Sequence, residues 1–133
     1  MIRRACVADL EAIEGIQQAS PEAAQWTVQA ESTWVALASD RVVGFIVVRK
    51  TAPGESEILN LAVDPRYRRR GLGRELARKV LAEYPGRWFL EVRESNATAQ
   101  RFYENLGFRI AGRRPQYYES PPDAAIVMRY QSC

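Results

Sequence analysis

Six consecutive residues, Arg68-Arg69-Arg70-Gly71-Leu72-Gly73, concentrate the binding chemistry of this chain. Glycine lets the backbone turn tightly and lets a ligand approach its amides. Apolar residues at helical spacing follow, so the two glycines sit where a helix begins. The first amides of a helix lack internal partners, and the dipole adds partial positive charge there. Such a start is a ready anion site, and the arginines add full charges. The implied ligand is a phosphate or diphosphate. On its own residues the loop admits three readings: a solvated basic cap, a nucleic-acid patch that neutralises backbone phosphates, or a cradle for a cofactor diphosphate. It is not a Walker loop, because no Gly-Lys-Ser/Thr follows, nor a dinucleotide fingerprint, which needs a third glycine.

Groups able to move protons are few. The chain has no histidine, so a general base must be of another kind. Glu91 is the first candidate and Glu57 the second. Glu91 reads equally as a carboxylate paired with an arginine at a sheet edge. Tyr103 carries a proton it could donate, although its place in an apolar helical stripe reads as packing. Cys6 and Cys133 lie near opposite ends and match neither a nucleophile motif nor a metal spacing. No acyl-enzyme and no metal are therefore expected.

These residues need elements to position them. Ile58 to Val63 reads as a strand, stopped by Asp64-Pro65. A helix over Gly71 to Tyr84 is predicted from Leu72, Leu76 and Val80, widened by Ala77, Leu81 and Tyr84, and it stops at Pro85-Gly86. Arg87 to Arg93 alternates, with Trp88, Leu90 and Val92 on one face and Arg87, Phe89, Glu91 and Arg93 on the other. The strand–helix–strand route from Val63 predicts a parallel, right-handed crossover. Ser95-Asn96 caps a further helix whose stripe is Ala99, Phe102, Tyr103 and Leu106, ended by Gly107.

Upstream, Ile2 to Ala5 suggests a short strand and Val7 to Gln18 a helix with a weak cap at Cys6. Ser20-Pro21-Glu22 opens a short helix that includes Trp26. Thr33 to Ala38 and Val42 to Val48 form a hairpin turning at Ser39-Asp40-Arg41. Downstream, Phe108 to Gly112 and Ala124 to Tyr130 read as strands, with Arg113 to Tyr118 in a loop between them, stiffened by Pro121-Pro122.

At 133 residues the chain reads as one domain with a real core. A net charge of +3 is mildly basic, with much of the excess between Arg66 and Lys79. The N-terminus lacks the long apolar core of a signal peptide. The longest apolar run, Val42 to Val48, is far short of the ~20 residues needed to span a bilayer. Cytoplasm is the default expectation, with no membrane partner.

Asn60-Leu61-Ala62-Val63-Asp64-Pro65, followed by Arg68 to Gly73, closely resembles the acetyl-CoA motif of the GNAT superfamily of N-acetyltransferases. The family's loop is Arg/Gln-x-x-Gly-x-Gly/Ala, with Arg68 first here. Leu90-Glu91-Val92-Arg93-Glu94-Ser95-Asn96 and Phe102-Tyr103-Glu104-Asn105-Leu106-Gly107-Phe108 agree. That pairing looks like the bacterial branch that acetylates the N-terminal alanine of a ribosomal protein. The resemblance is strongest from Glu57 to Phe108. It departs at Gln25-Trp26, where relatives carry Pro-Trp, and in one extra residue within Arg113-Arg114-Pro115-Gln116-Tyr117-Tyr118.

The resemblance implies an α/β (α+β) fold with a mixed central sheet of about six or seven strands and about four helices, spanning residues 1–133. Acetyl-CoA is the implied co-substrate. Amides of Leu61, Ala62 and Val63 would hold the pantetheine arm and polarise the thioester. Arg68 and the amides of Arg69, Arg70, Gly71, Leu72, Gly73 and Arg74 would hold the diphosphate, and Asn96 would contact the cofactor. Glu91 becomes the base, and Tyr103 is aimed at the cofactor sulfur. Trp26, Asn60 and Tyr117 are the implied acceptor contacts. The acceptor is a protein N-terminus, a ribosomal protein among the candidates, and the amine chemistry agrees. Deprotonating an α-amine (pKa near 8) at pH 7 costs about 1.4 kcal/mol, a lysine (near 10.4) about 4.6. A lone glutamate acting through water suits the former. The alternatives are a small-amine or lysine acetyltransferase on the same scaffold, and an arginine-rich nucleic-acid module. The glycines count against the last, since reading a phosphate backbone needs charge but no tight amide cradle.

Overall fold

The computed structural model describes residues 1–19 and 32–131. The helix expected from Ser20, and Trp26 with it, lie outside the described residues. The described chain runs β1 (Ile2–Arg4), α1 (Leu10–Ala19), β2 (Thr33–Ala38), β3 (Arg41–Ala52), β4 (Glu55–Val63), α2 (Leu72–Glu83), β5 (Arg87–Arg93), α3 (Ala97–Leu106), β6 (Arg109–Glu119) and β7 (Pro122–Gln131). Its seven-stranded sheet is ordered β1-β2-β3-β4-β5-β7-β6. β4 and β5 pair in parallel through Glu55↔Arg87, Ser56↔Trp88 and Glu57↔Phe89, as the crossover predicts. β1–β2, β2–β3, β5–β7 and β6–β7 are antiparallel, so the sheet is mixed. Among the described residues, no helix is long and apolar enough to cross a membrane.

The chain divides into two units, Met1–Arg49 with Ile58–Glu83, and Lys50–Glu57 with Tyr84–Cys133. In the first, Ile13, Ile16, Val35, Phe45, Val47 and Ala62 form one buried cluster. Helix α2 buries Leu76, Ala77, Val80 and Leu81, the stripe read from its spacing. Trp34 lies buried between two cations, Arg4 and Lys79, each 5.4 Å from its ring.

In the second unit, Trp88 and Leu90 of β5 are buried, and the Trp88 indole donates to the Tyr84 carbonyl at 2.9 Å. The rings of Tyr103, Phe108 and Tyr130 follow one another at 5.5 and 5.3 Å. Gly107 closes α3 in the left-handed conformation its Cβ-free backbone allows, at φ 108°.

Four expectations are corrected. The first helix begins at Leu10, after a 3-10 turn over Val7–Asp9. At that turn the buried Asp9 carboxylate accepts from the Cys6 amide at 2.8 Å and from the Arg3 guanidinium at 2.7 and 3.1 Å. The Arg3 hydrogen bond is the main cause holding the Asp9 carboxyl down at about 2, against desolvation. The β2–β3 turn is the pair Ser39-Asp40, both at positive φ (50° and 65°), so Arg41 belongs to β3. Strand β3 continues past Val48 to Ala52.

Most consequential, Arg113 to Tyr118 is strand rather than loop. β6 runs to Glu119 on a ladder with β7. Its register passes from Arg114↔Ala125 to Tyr118↔Asp123, so three residues of β6 oppose one of β7. Gln116 adopts φ 54° within this bulge.

Candidate active site

The site begins with β4. Asp64 donates its amide to the Val43 carbonyl at 2.7 Å, and the Ala62 carbonyl lies against Gly44 of β3. Backbone groups alternate in direction along a strand. Ala62 therefore turns its own N–H and C=O toward β3, while those of Leu61 and Val63 face outward. The Arg68 guanidinium donates to the outward Val63 carbonyl at 3.4 Å. The outward Leu61 amide is taken, at 3.0 Å, by the side-chain oxygen of buried Asn60. Of the three amides singled out in the sequence, one faces the sheet and one is held by its neighbour. Val63 supplies the remaining outward amide.

Asp64-Pro65 then ends the strand as expected. The Asp64 carboxylate accepts from the Arg66 amide at 3.0 Å and from its guanidinium at 3.0 and 3.3 Å. The guanidinium bond, foremost, lowers the Asp64 carboxyl. Arg70 lies over the Tyr67 ring at 5.1 Å. Arg69 and Gly71 both adopt left-handed backbones, at φ 65° and 76°. The Glu75 amide bonds the Gly71 carbonyl at 3.0 Å, which makes Gly71 the residue from which α2 grows. The amides of Leu72, Gly73 and Arg74 precede that first bond and have no intrahelical acceptor. The loop therefore presents a run of backbone donors in an arginine-rich stretch, the kind of donor set a diphosphate needs.

The second unit carries the candidate base and acid. Glu91 of β5 stands opposite Val127 of β7. Its side chain is 20% exposed. Among the described residues, its Oε2 is the buried side-chain oxygen or nitrogen with no hydrogen-bond partner. An unmade bond at such a group costs ~1–3 kcal/mol. Its charge partner is Arg114 of β6, whose Nε stands 3.6 Å away, beyond hydrogen-bond reach. Oε1 receives the Tyr117 hydroxyl at 3.5 Å, the outer limit of a bond. Arg114 in turn lies over the Tyr117 ring at 5.5 Å. Glu57, the second candidate base, sits opposite Phe89 in the β4–β5 pairing.

The hairpin that brings these groups together is tied down nearby. Arg93 donates to the carbonyls of Pro121 and Ser120 at 2.8 and 3.3 Å and lies 4.3 Å from the Tyr118 ring. Arg113 grips Glu94, and the Ser95 hydroxyl bonds Asp123. Asn96 is the cap of α3, its side-chain oxygen accepting from Ala99 at 3.1 Å. Tyr103 is buried in α3 and burial pushes its hydroxyl well above the ordinary tyrosine range, so it keeps its proton at neutral pH. Sequence reading names Glu91 and Tyr117 but not Arg114, whose one signal was its membership of the Arg113–Tyr118 segment. Among the described residues, no group of three or more His, Cys, Asp or Glu could hold a metal.

The mixed seven-stranded sheet, with a helix opening from the loop after β4, is the architecture of the GNAT fold. The chain belongs to the acetyltransferase (GNAT) family, which it matches over residues 5–108. It is 40% identical over 97 residues to the [ribosomal protein bS18]-alanine N-acetyltransferase of Salmonella typhimurium, covering 68% of this chain and 65% of that protein. The chain therefore spans a little under two thirds of that relative's length. An uncharacterised N-acetyltransferase of Methanocaldococcus jannaschii is 32% identical, with 97% of this chain and 90% of that protein aligned. The crystal structure of Ard1 from Thermoplasma volcanium superposes with a TM-score of 0.88 at 34% identity, covering 100% of this chain and 97% of that one.

Proposed function

We propose that this chain is an acetyl-CoA-dependent N-acetyltransferase whose acceptor is the α-amine of a protein N-terminus, with a ribosomal-protein alanine as first candidate. The observation that carries the reading is the loop ahead of α2. Its left-handed Arg69 and Gly71 and the unpartnered amides that follow are a cradle for the diphosphate of coenzyme A. Residues 1–133 are taken as one acetyltransferase domain.

Acetyl-CoA supplies an activated acetyl group and a thiol leaving group. The amides of Arg69 to Arg74, with the Arg68 guanidinium, hold the diphosphate. The outward Val63 amide polarises the thioester carbonyl, and the Leu61 amide joins it if Asn60 lets go. Asn96 keeps its side-chain nitrogen for the cofactor while its oxygen caps α3.

Glu91 takes a proton from the acceptor ammonium through water. The neutral nitrogen then attacks the carbonyl carbon; a C–N bond forms, the C–S bond breaks with its electron pair left on sulfur, and the second proton that the nitrogen sheds passes through water to the thiolate. Tyr103, undissociated at neutral pH, donates a hydrogen bond to the departing thiolate. Its hydroxyl is a weaker acid than a thiol of pKa near 8.5, so stabilisation by that bond, rather than full proton transfer, is its assigned part. Trp26, Asn60 and Tyr117 are assigned to the acceptor.

The test is incubation with acetyl-CoA and a short peptide beginning Ala-Arg, following thiol release and peptide mass. One acetyl group gained at the α-amine, and none on an N-blocked, lysine-containing control, is the expected result. Acetylation of the lysine control instead would move the assignment to side-chain amines.

A further inference from the structure

We propose that Arg114, lying over the Tyr117 ring, is a stand-in for the acceptor: its guanidinium holds the place beside Glu91 Oε2 that the acceptor's α-ammonium takes on binding. This rests on the acetyl-transfer reading above and extends it to how the acceptor is admitted and the product expelled.

The protein contains its own standards for an arginine fitted to a carboxylate. Arg3 reaches Asp9 through two nitrogens at 2.7 and 3.1 Å. Arg113 reaches Glu94 through Nε and Nη2, the latter at 3.0 Å. Both use the two-point fork that suits guanidinium to carboxylate. Arg114 does not. It offers Glu91 one contact, at 3.6 Å, and leaves Oε2 without a hydrogen bond although that atom is sealed from solvent. The neighbouring Tyr117 hydroxyl stands equally far off, 3.5 Å from Oε1.

The cover is also built to move. Arg114 and Tyr117 are 59% and 46% exposed. Both lie where β6 leaves its register with β7, around the left-handed Gln116. Displacing them breaks no full hydrogen bond.

An incoming ammonium carries three N–H donors and one positive charge. It gives Oε2 the bond it lacks and replaces Arg114 as countercharge, so Glu91 is never left as an unpaired buried charge. Acetylation removes that cation. The product amide cannot balance Glu91, Arg114 returns, and the product is displaced. Arg114 is thus a positioning residue that holds the amine's place and helps expel the product, while the preference for a free amine lies with Glu91.

The experiment is calorimetric binding, without acetyl-CoA, of an Ala-Arg peptide with a free or an acetylated N-terminus. The proteins are wild type, Arg114→Met, Arg114→Lys and Glu91→Gln. Arg114→Met keeps an apolar stem against Tyr117 and removes the charge. It is expected to bind both peptides about threefold more tightly, the range for an ion pair whose arginine is largely exposed and no longer competes, and to suffer stronger product inhibition in turnover. Arg114→Lys should resemble wild type, and Glu91→Gln should lose the preference for the free amine. Unchanged or weaker peptide binding by Arg114→Met overturns the proposal, even if acetyl transfer is observed. Tightened binding with no acetyl transfer to any amine would uphold the amine site and sink the acetyltransferase reading instead.

Discussion

The Arg68–Arg74 loop and the Glu91–Arg114–Tyr117 cluster are built from different materials. The loop offers backbone. Its donors are amides that any residue except proline could supply, and side-chain identity is constrained where φ turns positive, at Arg69 and Gly71. The cluster offers side chains. Glu91 comes from β5 and its two neighbours from β6, with β7 paired to both strands. A backbone site is written in consecutive residues and survives much substitution. A side-chain site depends on the register of three strands and on single atoms.

The largest expected effect separates the two regions outright. Glu91→Gln should lower kcat/KM by about a hundredfold at pH 7, the range for loss of a general base. Activity should recover as pH approaches 8, where the α-amine loses its own proton. A defect of equal size at every pH would remove Glu91 from proton transfer and leave the cluster a binding device.

A smaller effect belongs to the loop. Gly71→Val meets open space, so its cost is conformational: a β-branched residue at φ 76°. That strain, ~1–2 kcal/mol, should raise the KM for acetyl-CoA about tenfold and leave the acceptor KM as it was. Steady-state titration of each substrate decides the point. Equal changes in both constants would mean that loop and cluster are not separable.

The smallest effect on turnover should come from Asp9→Asn, which touches neither region. The Asp9 carboxyl is held at about 2, below its ordinary 3.8. A depressed carboxyl gives its full stabilisation above pH 3.8 and loses it as pH falls toward 2. Arg3 is 37% exposed, so solvent screening trims the pair to about 1–2 kcal/mol. Melting temperatures across pH 2 to 7 should show wild type above the variant by that margin near neutrality and the difference closing at the acid end. A Kd for acetyl-CoA that moved along with stability would tie this corner to the loop after all.

The elements around the loop were legible because their signals are local. Apolar spacing gave the buried face of α2, Asp64-Pro65 the end of β4, and Gly107 the end of α3. Where expectation and structure part, a distant partner decided the outcome. Arg113 to Tyr118 holds three polar residues, a proline and two tyrosines, with no alternation to mark a strand; the ladder with β7 makes it one. The start of α1 is set by Asp9, whose carboxylate is occupied by Arg3 of β1 and the Cys6 amide. Nothing in the spacing of apolar residues records that pairing.

Sequence alone therefore determined the order of strands and helices about the loop, the membership of the acetyltransferase family, and the candidates Arg68–Gly73, Glu91 and Tyr103. Each rests on neighbours within a few positions, or on a motif. Tertiary structure alone decided which amides of β4 face outward, that Asn60 already holds one of them, and that Glu91 keeps a buried oxygen unbonded beside Arg114. These follow from strand register and side-chain approach, which depend on residues far apart in the chain and are fixed only once the strands have paired.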